Sequence, residues 1–432
     1  VFLASPATGE PPPNVLLILV DDLRPETGAY AGGAVTPHMD RLAAEATLFS
    51  RAYCNVPVCG ASRASLMTSI RPGRHRFLNY YASVQEDAPG AVVLPDVFKA
   101  AGYATVSYGK VFHSGKDQRD AWDEQWTPKS ANGGSWREYL TPEARALDEV
   151  ESQRGPAFEA YYGEQEYKDE RIADRTIRTL GAFAESGQPF FLAAGFIKPH
   201  LPFNAPGEYW DLYDPEAISM PPTYARDPSF PDAAYHNSGE LRNYAEVPEE
   251  TILPVGYARR LIHGYYAATS YVDAQIGRVL GALDRLGLRG NTIVVLAGDH
   301  GYNLGDHSLW NKHCNFDHAL RVPLIVDAPG RPGGQVADGL IELVDLFPTL
   351  MDLTGLEGPA GQIEGQSFSA VLHDPRADTK PFVIAKFHNG ISLRTEEFLY
   401  TEWQRRGSGE VYAQALFNLA ADPLETVNLA ND

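Results

Sequence analysis

The chain has 432 residues, 44% hydrophobic and 21% charged, a globular composition that excludes a disordered or fibrous protein. Its 36 Lys and Arg against 56 Asp and Glu leave a formal charge of −20, which argues against nucleic acid, whose phosphates need clustered basic side chains. The longest apolar run, residues 15–20, falls far short of the roughly 20 residues that cross a bilayer, so no membrane span is expected.

At roughly 100–200 residues per domain, this length fits two or three units, or one large core with an appendage. Three cysteines, Cys54, Cys59 and Cys314, make no disulfide framework and leave at least one thiol free. The opening Val1-Phe2-Leu3-Ala4-Ser5-Pro6-Ala7 reads either as the tail of a signal peptide or as an unrelated leader. The first reading predicts an exported protein, periplasmic, secreted or lysosome-like.

Residues 8–13 are a polar, Pro-rich lead-in. Residues 15–20 form a β-prone run, apolar on both faces as at the centre of a parallel sheet, and stop at Asp21-Asp22. Residues 62–69 are helical in pattern. Residues 94–101 read as a helix closed by Gly102, followed by a strand over 103–108 that ends at Gly109-Lys110. A helix over 171–186 precedes a strand over 190–196, which runs out at Lys198-Pro199-His200. A long helix over 257–286 leads to a strand over 292–297, ending at Gly298-Asp299-His300-Gly301, and 324–326 is one more strand. Residues 115–167 and 220–254, with weak periodicity, read as excursions carrying substrate-binding loops. From about Gly361 the texture changes, and β-prone pieces at 381–387, 398–403 and 411–416 predict a small antiparallel C-terminal unit with a helix. The expected division is therefore 14–360 and 361–432.

Alternating buried strands and helices are the α/β signature, and sites in such sheets lie beyond the carboxyl ends of the strands. Four of the strands run directly into charged or polar residues there. The adjacent carboxylates Asp21 and Asp22 repel one another unless a cation neutralises them, and Asp299-His300 would add a third carboxylate and an imidazole. Hard oxygen ligands suit Ca²⁺ or Mg²⁺ better than Zn²⁺. Cys59 opens a helical run, where free N–H groups favour anions, and Arg63 lies one turn on. Lys110 with His113, Lys198 with His200, and Lys312 with His313 are basic clusters able to clamp an oxyanion and move protons near neutral pH. Taken singly, each of these features is equally well a packed cysteine, a capped turn or solvated surface charge.

In combination they resemble a known family. Cys59-Gly60-Ala61-Ser62-Arg63, continuing through Leu66-Met67-Thr68, is similar to the signature of type I sulfatases of the alkaline phosphatase superfamily, and the remaining strand-end motifs match in order. Gly-Lys-Val-Phe-His at 109–113, Lys-Pro-His-Leu-Pro-Phe at 198–203 and Asp-His-Gly at 299–301 resemble the iduronate-2-sulfatase-like branch. Two positions depart from the pattern: Ala61 stands where Pro is commonest and Ser69 where Gly is usual.

The resemblance implies an α/β fold with a central mixed sheet between helices and a small C-terminal α+β subdomain. It implies that Cys59 becomes formylglycine, whose hydrate is the nucleophile, and that Asp21, Asp22, Asp299 and His300 hold one Ca²⁺. Arg63 would orient the hydrate, and Lys110 and Lys312 would bind sulfate oxygens. His113 would take the proton from the second hydroxyl, and His200 would protonate the leaving sugar oxygen. The implied partners are a formylglycine-generating enzyme and a sulfated oligosaccharide or polysaccharide, with a 2-O-sulfated uronate or related sugar as the class of substrate. Arg74, His75 and Trp310 would contact it, from loops at 71–81, 120–137, 236–247 and 304–318. A phosphonate monoester or phosphodiester hydrolase on the same site, and a non-catalytic glycan-binding relative, are the rival readings.

Overall fold

The structure, a computed structural model, describes residues 11–130, 136–150 and 154–430. The residues read as a leader, and segments 131–135 and 151–153 of the excursion loops, lie outside the described residues.

In chain order the principal elements begin with β1 (Asn14–Val20), α1 (Pro37–Glu45), β2 (Thr47–Tyr53), α2 (Cys59–Thr68), α3 (Leu94–Ala100), β3 (Ala104–Gly109) and β4 (Glu124–Trp126). They continue with α4 (Lys168–Ser186), β5 (Phe190–Phe196), α5 (Val255–Arg285), β6 (Thr292–Gly298), β7 (Arg321–Asp327), β8 (Gln335–Ala337), β9 (Ile341–Glu342) and α6 (Leu346–Thr354). The C-terminal strands are β10 (Phe382–Phe387), β11 (Gly390–Thr395), β12 (Phe398–Gln404) and β13 (Val411–Asn418).

The main sheet runs β8-β2-β7-β6-β1-β5-β3-β4, with β9 also on β2. β1 pairs in parallel with both β5 and β6, and β3 in parallel with β5 and β4. β7 lies antiparallel between β6 and β2, so the sheet is mixed. Because β7 alone is reversed, β1, β2, β3, β5 and β6 all end on the same edge.

β1 is buried along its whole length because both of its faces are covered. Val15, Leu17 and Leu19 enter one apolar cluster, together with Ala64 and Met67 of α2 and Phe347 of α6. Leu16, Ile18 and Val20 enter the other, against Leu42 of α1, Ile172 and Leu180 of α4, and Val272, Ile276, Val279 and Leu283 of α5. Those four α5 positions recur at helical spacing and form the stripe that a sheet-packed helix needs. Each buried aliphatic side chain contributes about 2 kcal/mol relative to exposure.

The C-terminal strands pair in sequence order as an antiparallel sheet. β11 was not among the expected strands. The expected helix is absent among described residues 361–430, where 369–373 make turns instead. Val383, Ala385 and Leu399 of this sheet join the first core cluster, so the unit shares a core with the main sheet.

Candidate active site

The strand ends bring the chemistry-bearing residues together. At the end of β1, Asp22 adopts a left-handed backbone with φ 62°, a conformation that Asp tolerates better than most residues. Its N–H donates to Asp299 Oδ1 at 3.1 Å, which ties the ends of β1 and β6. At the ends of β3 and β5, Gly109 and Gly195 face one another. A Cβ on Gly195 would stand 2.1 Å from the Lys110 carbonyl oxygen. That close approach is what brings Lys110 to Asp21, whose Oδ2 its Nζ contacts.

α2 follows β2 after a short loop and is buried throughout, with Cys59 as its first residue. Cys59 Sγ lies 3.1 Å from His300 Nε2 and 3.9 Å from Asp22 Oδ1. Arg63, one turn on, is fully buried and donates through Nε to Asp299 Oδ2 at 2.8 Å and through Nη2 to Asp21 Oδ1 at 3.0 Å. Its Nη1 reaches the carbonyls of Lys110 and Val111. Arg63 thus fastens three strand ends from beneath the site. Both departures from the signature are accommodated. Ala61 sits in the first turn, before the first intrahelical bond from Ser62 N to Val58 O, where Pro and Ala fit equally. Ser69 takes the left-handed cap at φ 56°, which ordinarily favours Gly. Its hydroxyl donates to Val344 O at 2.8 Å and accepts from Gly365 N at 3.1 Å, which offsets that strain.

Across the site, Lys312 Nζ lies 3.0 Å from both Asp22 oxygens. His200 Nδ1 is 2.6 Å from the Leu201 carbonyl, and its Nε2 is 3.2 Å from Glu240 Oε1 and 3.9 Å from Asp22 Oδ2. Lys312 Nζ also reaches Glu240 Oε2 at 2.9 Å. Sequence reading did not single out Glu240. It lies in a one-turn helix inside the 220–254 excursion, and only its nearness to Lys312 and His200 in space marks it. His113 is exposed at the mouth, 6.1 Å from the Tyr80 ring.

Electrostatics follow from crowding buried charge. Burial would raise the Cys59 thiol, but Lys110, then Lys312 and His300, hold it well below its ordinary value. Burial pushes Asp22 up to about 6 against His200 and Lys312. Burial opposes the imidazolium of His200, yet Asp22 prevails and raises it to about 9. Glu240 is held well below the carboxylate range because Lys312 and His200 outweigh its burial. Donor atoms of Asp21, Asp22, Cys59 and His300 lie within 4.8 Å of one another. Asp299 borders this group, with Oδ1 3.7 Å from His300 Nε2. Three buried carboxylates and one imidazole fit a hard divalent cation, which would relieve their mutual repulsion.

Two expectations need correction. Trp310 is 2% exposed and packs in an apolar cluster with Tyr302 and Leu304, so it presents no face to a sugar. Lys198 turns its Nζ to the carbonyls of His200 and Pro202, where it braces its own loop rather than the site. The other two cysteines are buried thiols: Cys314 receives a bond from Asn303 Nδ2 at 3.3 Å and burial pushes it up to about 12, and Cys54 faces Ala319 O. Arg74 and His75 stand apart from the cluster around Cys59, on a cavity beside the C-terminal sheet.

A buried cysteine beside lysines, at the carboxylate-rich strand edge of an α/β sheet, is the arrangement of an enzyme that acts on tetrahedral oxyanion esters. The chain matches the sulfatase family over residues 13–356, and the C-terminal family of N-sulphoglucosamine sulphohydrolase over 305–432. It belongs to the sulfatase family of the alkaline phosphatase superfamily, and so to the sulfuric ester hydrolases. It is 31% identical to human iduronate 2-sulfatase, over 97% of this chain and 91% of that protein. Two of the solved structures that share its fold illustrate the likeness. One is the phosphonate monoester hydrolase of Agrobacterium radiobacter, with TM-score 0.79 and 22% identity over 97% of this chain and 92% of that one. The other, solved with D-glucosamine-2-N,6-O-disulfate as its substrate, has TM-score 0.77 and 21% identity over 98% and 94%. Among the described residues no helix is long and apolar enough to cross a membrane.

Proposed function

We propose that this protein hydrolyses a sulfate monoester on a carbohydrate, the 2-O-sulfated uronate or a related sugar of a sulfated polysaccharide, after export from the cytoplasm. The observation that carries this reading is Cys59 at the start of a buried helix, between His300 and the Lys110 and Lys312 ammonium groups. Conversion of Cys59 to formylglycine by a maturation enzyme would place a geminal diol there, able to attack sulfur through one oxygen and release sulfate through the other. Ca²⁺ held by Asp21, Asp22, Asp299 and His300 would supply Lewis-acid stabilisation of the sulfuryl oxygens.

The side chains do the rest. Lys110 and Lys312 neutralise the charge that develops on the transferred group. Arg63 keeps Asp21 and Asp299 in place and lends positive charge from below. His200, protonated at neutral pH and oriented by Leu201 O and Glu240, is set to protonate the leaving sugar oxygen. His113, at the mouth, accepts the proton of the second hydroxyl. The iduronate-2-sulfatase-like motifs and the identity to human iduronate 2-sulfatase favour sulfur over phosphorus and a uronate over other sugars.

The mass of the peptide containing residue 59 tests the nucleophile. An aldehyde in place of the thiol is expected, together with loss of turnover but retention of substrate binding in Cys59→Ser. A fully active Cys59→Ser variant would refute the assignment. Protein with confirmed aldehyde that cleaves phosphonate esters and no sulfated sugar would refute the sulfatase reading.

A further inference from the structure

A cavity of about 710 Å³ lies between the 72–78 loop and the C-terminal sheet, and its polar wall is basic: Arg74, His75, Lys386, His388, Arg405 and Arg406. No Asp or Glu lines it. In a chain of charge −20 such a wall is anomalous. Nor are these cations spoken for by acids. Arg74 donates to Gly407 O at 3.2 Å, Arg406 to Asn389 Oδ1 at 3.3 Å, and Lys386 to Gly73 O. Among the described residues only Arg405 of the six has an ion pair, an exposed one with Glu410 at 3.4 Å. Burial, then Arg406 and Arg74, push Lys386 below its ordinary value, as expected where positive charges crowd without counterions.

This cavity adjoins a second one that borders the Cys59 site. His388 and Asn389 also line a neighbouring cavity of about 390 Å³, whose wall includes Val58, next to Cys59, and Glu240, the partner of His200 and Lys312. Tyr80 and Phe387 line that neighbouring cavity and give it aromatic faces suited to sugar rings.

We propose that the basic cavity is a second anion subsite, which takes a sulfate or carboxylate from a sugar further along the glycan whose terminal ester is cut, so that the enzyme selects chains over isolated sugars. The inference rests on the proposed function. The occupant follows from charge: a cluster of guanidinium, ammonium and imidazole groups, only one of them paired with an acid among the described residues, beside a cavity that borders the ester site, fits one polyanionic sugar chain spanning both cavities.

The test is the double reversal Arg74→Glu/Arg406→Glu, two exposed side chains whose change spares the core. Turnover is measured on a disaccharide and a hexasaccharide with the same terminal 2-O-sulfated uronate. The ratio of kcat/KM, hexasaccharide to disaccharide, is expected to fall about tenfold or more, the scale of one or two charge-assisted contacts. Arg376→Glu, on the exposed 374–376 turn, shifts net charge in the same direction by half as much and is expected to leave the ratio unchanged. Binding of the hexasaccharide to Cys59→Ala protein, read by calorimetry, should weaken equally in the double variant and lose its steep salt dependence. An unchanged ratio, an equal fall for Arg376→Glu, or equally tight binding of a single-stranded oligonucleotide of matched charge would overturn the proposal. Because the calorimetric arm needs no turnover, a protein that cleaves no sulfate ester refutes the proposed function and still leaves the subsite decided.

Discussion

Two histidines of the site are raised alike, yet the proposed reaction asks opposite things of them. Asp22 raises His200 to about 9, and Asp299 with Cys59 raises His300 to about 10, each against burial. A metal ligand must be neutral, whereas an acid must be protonated, so bound Ca²⁺ would deprotonate His300 and leave His200 as the proton source. His200→Ala is therefore expected to cut kcat/KM about 100-fold on sugar sulfates and far less on 4-nitrophenyl sulfate, whose leaving group needs little protonation. Equal losses on both substrates would remove His200 from the acid role. The residues at strand ends were legible because an apolar run fixes where a strand stops, and the polar residue after it must stand on the sheet edge. Glu240 was not, because no periodicity frames it. Trp310 misled for the opposite reason: a large aromatic in a polar loop reads as a sugar platform, but β-bridging of Asn303–Leu304 with Trp310–Asn311 folds it inward.

At the scale of elements, strands with unbroken apolar runs were legible and those with mixed sequence were not. β2 carries Ser50 and Arg51 in its middle, and its burial comes from β7 and β8 rather than from its own pattern. β7 was seen only as residues 324–326, because Pro323 interrupts it. The register shifts between Val322 and Leu324, a bulge that accommodates a residue without an N–H. What fastens the C-terminal sheet to this frame is Glu342 of β9, 1% exposed at its side chain. It accepts from Asn55 Nδ2 at 2.8 Å, Ile384 N at 3.0 Å and Arg71 Nε at 3.1 Å, and it contacts Lys380. Glu342→Ala leaves Ile384 N without its acceptor and strips Lys380 of one of its two carboxylates, Asp345 remaining at 2.6 Å, and is expected to cost about 3 kcal/mol in chemical denaturation. Burial would raise this carboxyl, but Arg71 and Lys380 hold it below 4.5. A lowered acid stabilises the fold above its unfolded value and loses that contribution as pH falls through the folded one. The gap between wild type and Glu342→Ala should therefore narrow below about pH 4.5. A constant gap down to the acid transition would show that the carboxylate's charge is immaterial.

For the molecule as a whole, the fold concentrates acids where five strands end and then must hold them there. Asp21, Asp22 and Asp299 are fully buried and adjacent, and Arg63, Lys110 and Lys312 balance them. In the proposed reaction those same lysines meet the sulfuryl group, so a cation that took over the carboxylates would free Lys110 and Lys312 to face substrate. Binding of such an ion to the folded chain alone must raise its stability, by about 2.7 kcal/mol at a hundredfold excess over Kd. For a chain of this size that corresponds to a rise of a few degrees in Tm. Excess Ca²⁺ added to chelator-treated protein is thus expected to raise the thermal midpoint. Asp22→Asn should bind less calcium by elemental analysis and show little of that rise, since one charged ligand is gone. Asp273→Asn provides a contrast: this buried carboxylate accepts from His38 N and Met39 N and lies outside the site. It should lower the midpoint with and without calcium, yet keep the difference between them. A calcium-dependent rise that survives intact in Asp22→Asn would place the ion elsewhere and dissolve the link between this strand edge and the metal.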